Sequence, residues 1–207
     1  MTRRLATPDE AVSLLAAGGV LLLATDTLPG LHARVDRPEA VRRVAAIKGR
    51  PGDKPLVVLA GSTGSALTIV GPLTDRQLGY ARTCWPGPFS LVLTAAAGLD
   101  PVITAGGASV AVRVPDHQTL GELLQAVPCP LVSTSANRSG EPPALTLEEA
   151  VARLGDEVDG VFAPVDGPAG TALASCVIDL TTWPPQVLRP GPRPAPGPAL
   201  DPEDGES

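Results

Sequence analysis

Short apolar runs alternate with helix-forming segments along most of this chain, and that alternation restricts the fold more than any other feature of the sequence. The runs 20–25 and 56–60 have the length and composition of buried strands. Thr7, Pro8 and Glu10 supply a hydroxyl cap, a proline at the first helical position and a capping-box glutamate. Because such elements interleave, and several strands follow one another without a helix between them, the sequence predicts an α/β domain around a twisted, mixed, open sheet with flanking helices.

The remaining elements follow from the same two patterns, caps for helices and apolar runs for strands. We predict helices that begin near residues 8, 38, 74, 116 and 146, with Asp116 as the cap of the fourth, and a loop rather than a strand through Gly30. Further strands are predicted at 89–95, 109–114, 130–133, 161, 177–180 and 187–188. These elements form one domain over residues 1–191, and the proline-rich, acidic segment 192–207 is expected to be a disordered tail.

Composition excludes several classes of protein. With 207 residues, 43% of them apolar and 18% charged, the chain can bury a core, which argues against wholesale disorder. No apolar run approaches the roughly 20 residues of a membrane helix. The N-terminus carries no export signal either, so a cytoplasmic protein with no membrane partner is expected. Cys84, Cys129 and Cys176 are too few and too widely spaced for a disulfide framework or a metal pattern, and we expect reduced, buried thiols.

Charge is distributed unevenly along the chain. The net charge of -6 argues against non-specific binding of nucleic acid by the whole surface. Segment 34–54 is locally positive, however, because it holds seven arginines and lysines against three carboxylates. The sequence therefore predicts a positive region within an acidic protein.

The common catalytic signatures are absent from the sequence. The chain lacks the glycine-rich nucleotide loops, the paired-histidine zinc motif, the Cys-x-x-Cys motif and the Gly-x-Ser-x-Gly hydrolase turn. Only His32 and His117 could act as histidine bases. For each of them we expect a surface or capping role rather than catalysis.

Polar residues instead collect where the predicted strands end. Residues 25–27 follow the first strand, residues 48–56 join a helix to a strand, and residues 133–140 leave a strand with six polar side chains in eight. Ser109 and Arg113 lie four apart in an otherwise apolar strand and so share a face. Ligands gather at strand ends of open α/β sheets, so these segments could form one cationic cleft for a polyphosphate. They could equally be solvated turns and a paired arginine, and the residues alone leave both interpretations open.

Six strings of residues add to this pattern, in one order, between about Leu5 and Gly191. They are residues 25–31, 47–56, 85–93, 110–117, 133–142 and 188–191. Together they resemble the YrdC/Sua5 family, the threonylcarbamoyl-AMP synthases, although any one string would be a weak signal. The resemblance implies a sheet and flanking helices that enclose a deep, positively charged cavity.

The resemblance also implies an enzyme, a nucleotidyltransferase. Its family forms threonylcarbamoyl-adenylate and pyrophosphate from L-threonine, bicarbonate and ATP, the first step toward threonylcarbamoyladenosine in tRNA. ATP is then a substrate, and Mg²⁺ is expected to be held mainly by the phosphates rather than by a protein metal site. The partners implied are these small molecules, tRNA or RNA, and a downstream threonylcarbamoyl-transfer complex.

Site residues are carried over from the family position by position. The catalytic tetrad around the phosphates corresponds to Lys48, Arg50, Ser135 and Asn137. ATP binding is assigned to Arg50, Lys54, Ser109, Ser135 and Arg189. Threonine binding is assigned to Thr27, Arg113, Ser133 and Ser175, with Arg113 suited to the amino-acid carboxylate.

Four residues at three places depart from the family pattern, and they cluster on the amino-acid side. Leu28-Pro29 stands where the family usually has Val-Tyr, which removes an aromatic ring and one backbone N–H. Leu59 replaces a histidine of some members, and Pro143 replaces a small hydroxyl residue. Two alternatives therefore stay open: a relative that transfers a carbamoyl group to another acceptor, and a protein that binds nucleotides or double-stranded RNA without turnover.

Overall fold

The computed structural model describes residues 3–49, 54–163 and 173–197. Within these ranges the chain forms one sheet with helices on both faces. The helices are α1 (Pro8–Ala16), α2 (Pro38–Lys48), α3 (Thr63–Leu67), α4 (Asp75–Cys84), α5 (Pro101–Thr104), α6 (Gln118–Ala126) and α7 (Leu147–Leu154), with a 3-10 turn at Gly155–Glu157. The strands are β1 (Leu21–Leu23), β2 (Gly30–Arg34), β3 (Val57–Leu59), β4 (Phe89–Thr94), β5 (Ser109–Arg113), β6 (Leu131–Ser135), β7 (Gly160–Phe162), β8 (Cys176–Asp179) and β9 (Gln186–Arg189).

The sheet is mixed, as the sequence predicts. The strands of the described ranges lie in the order β7-β1-β2-β6-β3-β5-β4-β8-β9. The pairs β1/β7, β3/β5 and β4/β8 are parallel, and the other neighbours are antiparallel. The loop expected through Gly30 is instead strand β2. All five residues of β2 are buried, so it lacks the alternation of polar and apolar residues that marks a half-exposed strand.

Helix starts follow the caps that the sequence displays. Threonine side chains cap the backbone N–H groups that begin α1, α4 and α7, namely Thr7, Thr74 and Thr146. Asp116 does not cap α6, contrary to expectation. The N-cap there is His117, whose Nδ1 accepts a hydrogen bond from the Leu120 backbone N–H at 3.3 Å. The capping role predicted for His117 is therefore confirmed.

Helices cover the two faces of the sheet unequally. On one face, strand residues such as Leu22, Val58 and Val112 share a buried cluster with residues of α2, α4 and α7. On the other face, Leu59 and Leu131 pack against α1 and α6. Among the buried residues described, this second cluster includes none from β4, β5 or β8. The second face of these strands therefore adds no residue to the buried apolar cluster under α1 and α6.

The first residues of the predicted tail lie against the domain. The Tyr80 hydroxyl donates a hydrogen bond to the Pro196 carbonyl at 2.8 Å, and the Arg193 guanidinium lies 5.3 Å from the centre of the Phe89 ring. Arg193 and Pro196 therefore contact the domain, while the disordered tail over 192–207 stays a prediction. Residues 198–207 lie outside the described ranges, and the domain boundary at 191 stays a prediction.

Candidate functional site

One row of partly exposed residues crosses the centre of the sheet. Residues paired directly across neighbouring strands share a face. Ser133, Val57, Ala111, Val92 and Asp179 are paired in this way on β6, β3, β5, β4 and β8. All five are partly exposed, whereas their chain neighbours Val58 and Val112 are fully buried on the opposite face. We call this surface the open face, and Ser109 and Arg113 lie on it, two residues to either side of Ala111.

Lys48 is the last residue of α2, and its ammonium group reaches the end of β6. Nζ donates to the Ser135 carbonyl oxygen at 2.8 Å, to Ser135 Oγ at 3.1 Å and to Asn137 Oδ1 at 2.6 Å. Ser135 Oγ donates to the same Asn137 oxygen at 2.6 Å. Lys48 and Asn137 are only 5% and 7% exposed, so little bulk water screens this charge. Three of the four residues of the predicted tetrad are therefore in direct contact.

The loop after β6 is tied to the end of α2, which explains why these residues meet. The Ser139 N–H donates to the Lys48 carbonyl at 2.8 Å, and Arg138 Nη1 donates to the Ile47 carbonyl at 3.1 Å. These bonds satisfy carbonyl groups that a helix C-terminus leaves without partners. The Asn137 amide nitrogen donates to two loop carbonyls at 2.9 and 2.7 Å, which turns its oxygen toward Lys48.

Arg113 ends β5 and is the centre of a second cluster. Nε donates to the Gly87 carbonyl at 3.0 Å, and Nη1 donates to Thr27 Oγ1 at 3.0 Å. Nη2 forms an ion pair with Asp26 Oδ2. Burial lowers the pKa of the guanidinium, and the Asp26 carboxylate opposes that shift. The structure thus joins the predicted residues Thr27 and Arg113, and adds Asp26, which the site prediction omits although it lies in the same motif.

Ser133 contacts His32, a histidine whose environment is predicted wrongly from the sequence. The two residues are paired across β2 and β6, and Ser133 Oγ lies 3.0 Å from His32 Nε2. His32 is fully buried, so the surface or capping role expected for it is wrong. Burial lowers the pKa of His32 to about 4, and its ring is therefore neutral at pH 7. Assignment of β2 as a strand would have indicated burial of His32, but its pairing with Ser133 also depends on β2 lying next to β6 in the sheet.

A third cluster forms where β8 begins. The Ser175 carbonyl accepts hydrogen bonds from Arg189 Nε at 3.2 Å and from Arg189 Nη2 at 2.8 Å. Ser175 Oγ lies 2.8 Å from Ser90 Oγ, and Ser90 is fully buried on β4. The predicted residues Ser175 and Arg189 are therefore neighbours. Ser90 was not predicted, because a lone serine in an apolar strand gives no signal of its partner.

The other predicted ATP residues are less well placed by the structure. Ser109 pairs with Thr94 at one end of β5 and β4, on the open face. Lys54 is exposed just before β3, and its role in ATP binding stays a prediction. Arg50 lies outside the described residues, so its position relative to Asn137 stays a prediction.

The segment from Thr25 to Gly30 connects the Lys48 and Arg113 clusters. Thr27 contacts Arg113, while the Pro29 carbonyl accepts the Ala136 N–H at 2.9 Å. Gly30 then pairs with Ser135 at the start of β2. A lysine, an arginine and several hydroxyl groups are therefore held near the open face by contacts between residues far apart in the chain.

Other features of the molecule lie away from these clusters. Two surface depressions occur beside the start of α4 and between α3 and the end of α6, and no predicted site residue lines either of them. Within the described ranges, no group of three or more histidine, cysteine or carboxylate side chains could hold a metal ion. The helices described there include none with both the length and the apolar character needed to cross a membrane.

An open α/β sheet that presents buried cations and hydroxyl groups near one uncovered face defines a protein suited to small anionic ligands. The chain belongs to the Sua5/YciO/YrdC family, whose family model, described as telomere recombination, matches residues 13–191. The resemblance found in the sequence is thereby confirmed.

Curated relatives are identical to this chain at about a third of the aligned residues. It is 37% identical over 183 residues to a putative threonylcarbamoyl-AMP synthase of Mycobacterium tuberculosis, which covers 88% of this chain and 83% of that protein. It is 32% identical over 197 residues to the threonylcarbamoyl-AMP synthase of Bacillus subtilis, with 92% of this chain and 56% of that protein covered. The chain thus spans most of the mycobacterial relative and about half of the Bacillus relative.

Solved structures agree with the fold. The structure of Pyrococcus abyssi Sua5 complexed with L-threonine matches with a TM-score of 0.82 and 31% identity, over 92% of this chain and 56% of that one. Escherichia coli YciO matches with a TM-score of 0.79 over 92% of this chain and 93% of that one. At 22% identity, YciO supports the fold alone. The predicted YrdC-like sheet is confirmed.

Proposed function

We propose that this chain is a threonylcarbamoyl-AMP synthase, an enzyme that joins L-threonine, bicarbonate and ATP and releases pyrophosphate. The observation that carries the proposal is the presence of two buried cations, Lys48 and Arg113, near one open face of the sheet. Relatives with that activity in their names are 32–37% identical to this chain. Such a reaction brings two anions together, which demands positive charge on both sides.

Synthesis of threonylcarbamoyl-AMP depends on positive charge and on positioning of the reactants more than on proton transfer by a side chain. Bicarbonate loses hydroxide to become carbon dioxide, and the neutral threonine amine forms a C–N bond with its carbon. The proton lost from the amine combines with that hydroxide as water, which leaves a carbamate. A carbamate oxygen then bonds to the α-phosphorus of ATP, and the bond to pyrophosphate breaks. Because both reactants are anionic, cations that hold them in line supply most of the rate enhancement. A site without an exposed histidine is adequate for this step.

The clusters divide these tasks. Lys48, with Ser135 and Asn137, is suited to the phosphates, together with the predicted residues Arg50, Lys54, Ser109 and Arg189. Arg113 is suited to the threonine carboxylate because guanidinium and carboxylate groups match in geometry and charge. Thr27, Ser133 and Ser175 supply hydroxyl groups on that side. A deep positive cavity between the two sides is part of the proposal.

The remaining assignments extend the same proposal. Mg²⁺ would be held mainly by phosphate oxygens and water, as this ion commonly is in nucleotide sites. The protein would act in the cytoplasm and pass its adenylate to a threonylcarbamoyl-transfer complex that modifies tRNA.

Pyrophosphate release tests the activity directly. The protein is incubated with ATP, Mg²⁺, bicarbonate and one amino acid at a time, and the adenylate is identified by its mass. We expect release with threonine, much less with serine, and loss of release without bicarbonate. Lys48→Met removes the ammonium but keeps similar bulk, and should lower kcat/KM by about 100-fold or more. Arg82→Met removes an exposed charge on α4 and serves as the control.

One observation favours a different acceptor as the second candidate. Leu28 and Pro29 are buried directly after Thr27, where the family pattern places an aromatic ring and a further N–H. A pocket altered in this way could select another amine. Release with a second amino acid at the threonine rate, or only with that amino acid, would support this candidate. No release with any amino acid would contradict both.

A further inference from the structure

Only one of the two carboxylate oxygens of Asp26 is paired with another described residue. Oδ2 is paired with Arg113 Nη2, while Oδ1 is buried and accepts no hydrogen bond from any described residue. The side chain is 14% exposed. His32 Nδ1 is the other buried side-chain atom of the described ranges without such a partner. An unpaired carboxylate oxygen is costly in a buried place, so Oδ1 needs a donor that those residues do not supply.

Arg113 is also only partly engaged. A guanidinium carries five N–H groups, one on Nε and two on each terminal nitrogen. Described contacts use three of them, one each with Gly87, Thr27 and Asp26. One N–H on each terminal nitrogen has no acceptor among these contacts, and a carboxylate can accept hydrogen bonds from both terminal nitrogens of a guanidinium.

The Asp26–Arg113 ion pair therefore has no net charge, and it offers one carboxylate oxygen as an acceptor and guanidinium N–H groups as donors. An α-amino acid at neutral pH is a matching unit, with a carboxylate and an ammonium group on adjacent atoms. Carboxylate binding at Arg113 would bring the ammonium to the side where the Asp26 carboxylate lies. A ligand with a carboxylate alone would leave Oδ1 unpaired and would add a second negative charge beside it.

We propose that Asp26 binds the ammonium group of the amino-acid substrate and so restricts the Arg113 site to α-amino acids. This inference rests on the proposed function, because it takes the carboxylate of that substrate to lie on Arg113. Asp26 is then a residue that determines specificity, in addition to its structural pairing with Arg113.

Two changes together test the proposal. One removes the amino group from the ligand, and the other removes the negative charge from residue 26. NMR titration of the free protein measures the affinity for L-threonine and for (3R)-3-hydroxybutanoate, which is threonine without its amino group. We expect the wild-type protein to bind threonine at least tenfold more tightly. Asp26→Asn should lose that preference because only threonine binding weakens, while binding of 3-hydroxybutanoate stays within about twofold. A purely structural role through Arg113 would weaken both ligands equally and would overturn the proposal.

Controls separate folding from recognition. Asp36→Asn disrupts another arginine–aspartate pair, that of Arg34, and should leave both affinities unchanged. Asp26→Glu retains the charge and should retain part of the preference for threonine. If Asp26→Asn does not fold, the wild-type ratio still decides, since equal affinities for the two ligands would overturn the proposal.

Failure of the Asp26 proposal can also be distinguished from failure of the proposed synthase function. Amine-dependent binding of an α-amino acid other than threonine would support the role of Asp26 and contradict the synthase assignment. Threonine-dependent pyrophosphate release, combined with equal binding of ligands with and without the amino group, would support the synthase assignment and contradict the role of Asp26.

Discussion

At the scale of single residues, burial of a neutral histidine should make the stability of this protein depend on pH. The pKa of His32 falls from 6.5 to about 4 on folding, because the ring is removed from water. The unfolded chain therefore takes up this proton at a higher pH than the folded one. Stability from His32 is complete above about pH 6.5 and declines as the pH falls to about 4, by about 3 kcal/mol in total.

Urea unfolding between pH 7 and pH 4.5 measures this effect. His32→Leu should flatten the slope of the unfolding free energy in that interval, whatever its effect on stability at pH 7. His117→Asn replaces the ring nitrogen that caps α6 with another side-chain acceptor and serves as the matched control. An identical slope in wild type and His32→Leu would show that carboxylates alone cause the acid sensitivity.

At the scale of elements, the end of α2 controls where Lys48 lies. Gly49 follows Lys48 with a φ of 70°, a left-handed conformation that a side chain disfavours. A Cβ at this position would meet no atom within 4 Å, so only backbone strain opposes substitution. Gly49→Ala should therefore lower the unfolding free energy by about 1 kcal/mol.

Gly79 provides the matched control for this prediction. It is exposed within α4, and a Cβ there would also meet no atom within 4 Å. Gly79→Ala should raise stability by about 0.5–1 kcal/mol, because alanine loses less backbone entropy in a helix. Chemical denaturation of both variants measures the two changes. Equal signs would contradict the assigned turn at Gly49.

Some of these helices and strands could be predicted from the sequence, and others could not. Helices with threonine caps were predictable because a cap and its partner lie three residues apart. Helices α3 and α5 were not, since five and four residues are too few to display a helical period. Strand β2 was missed because burial on both faces hides the alternation.

Site residues were predictable by type but not by contact. Motifs identify Lys48 and Asn137, yet their hydrogen bond joins positions 89 residues apart. Asp26 and Arg113 are separated by 87 residues, so neither segment alone reveals the ion pair. His32 has no motif at all, and only its place in β2 brings it to Ser133. Contacts between distant segments depend on the strand order, and no local pattern encodes that order.

At the scale of the whole molecule, the positive segment found in the sequence is partly neutralised by folding. Three of its arginines form ion pairs with carboxylates, namely Arg34 with Asp36, Arg42 with Glu39 and Asp100, and Arg43 with Asp159. Asp100 and Asp159 come from distant parts of the chain. The surface is therefore less positive around residues 34–43 than the sequence suggests, and the net charge is -6.

Such a surface should bind RNA weakly. We expect duplex RNA to bind with a Kd no tighter than about 10⁻⁶ M at physiological salt, because the net charge is -6 and several of the described arginines are already paired with carboxylates. Fluorescence anisotropy between 50 and 200 mM salt measures both the affinity and its salt dependence. Glu39→Gln with Glu148→Gln leaves Arg42 and Arg4 with fewer partners, and should tighten binding and steepen the salt dependence. Tight, strongly salt-dependent binding by the wild type that survives Asn137→Ala would instead favour the RNA-binding alternative over the synthase.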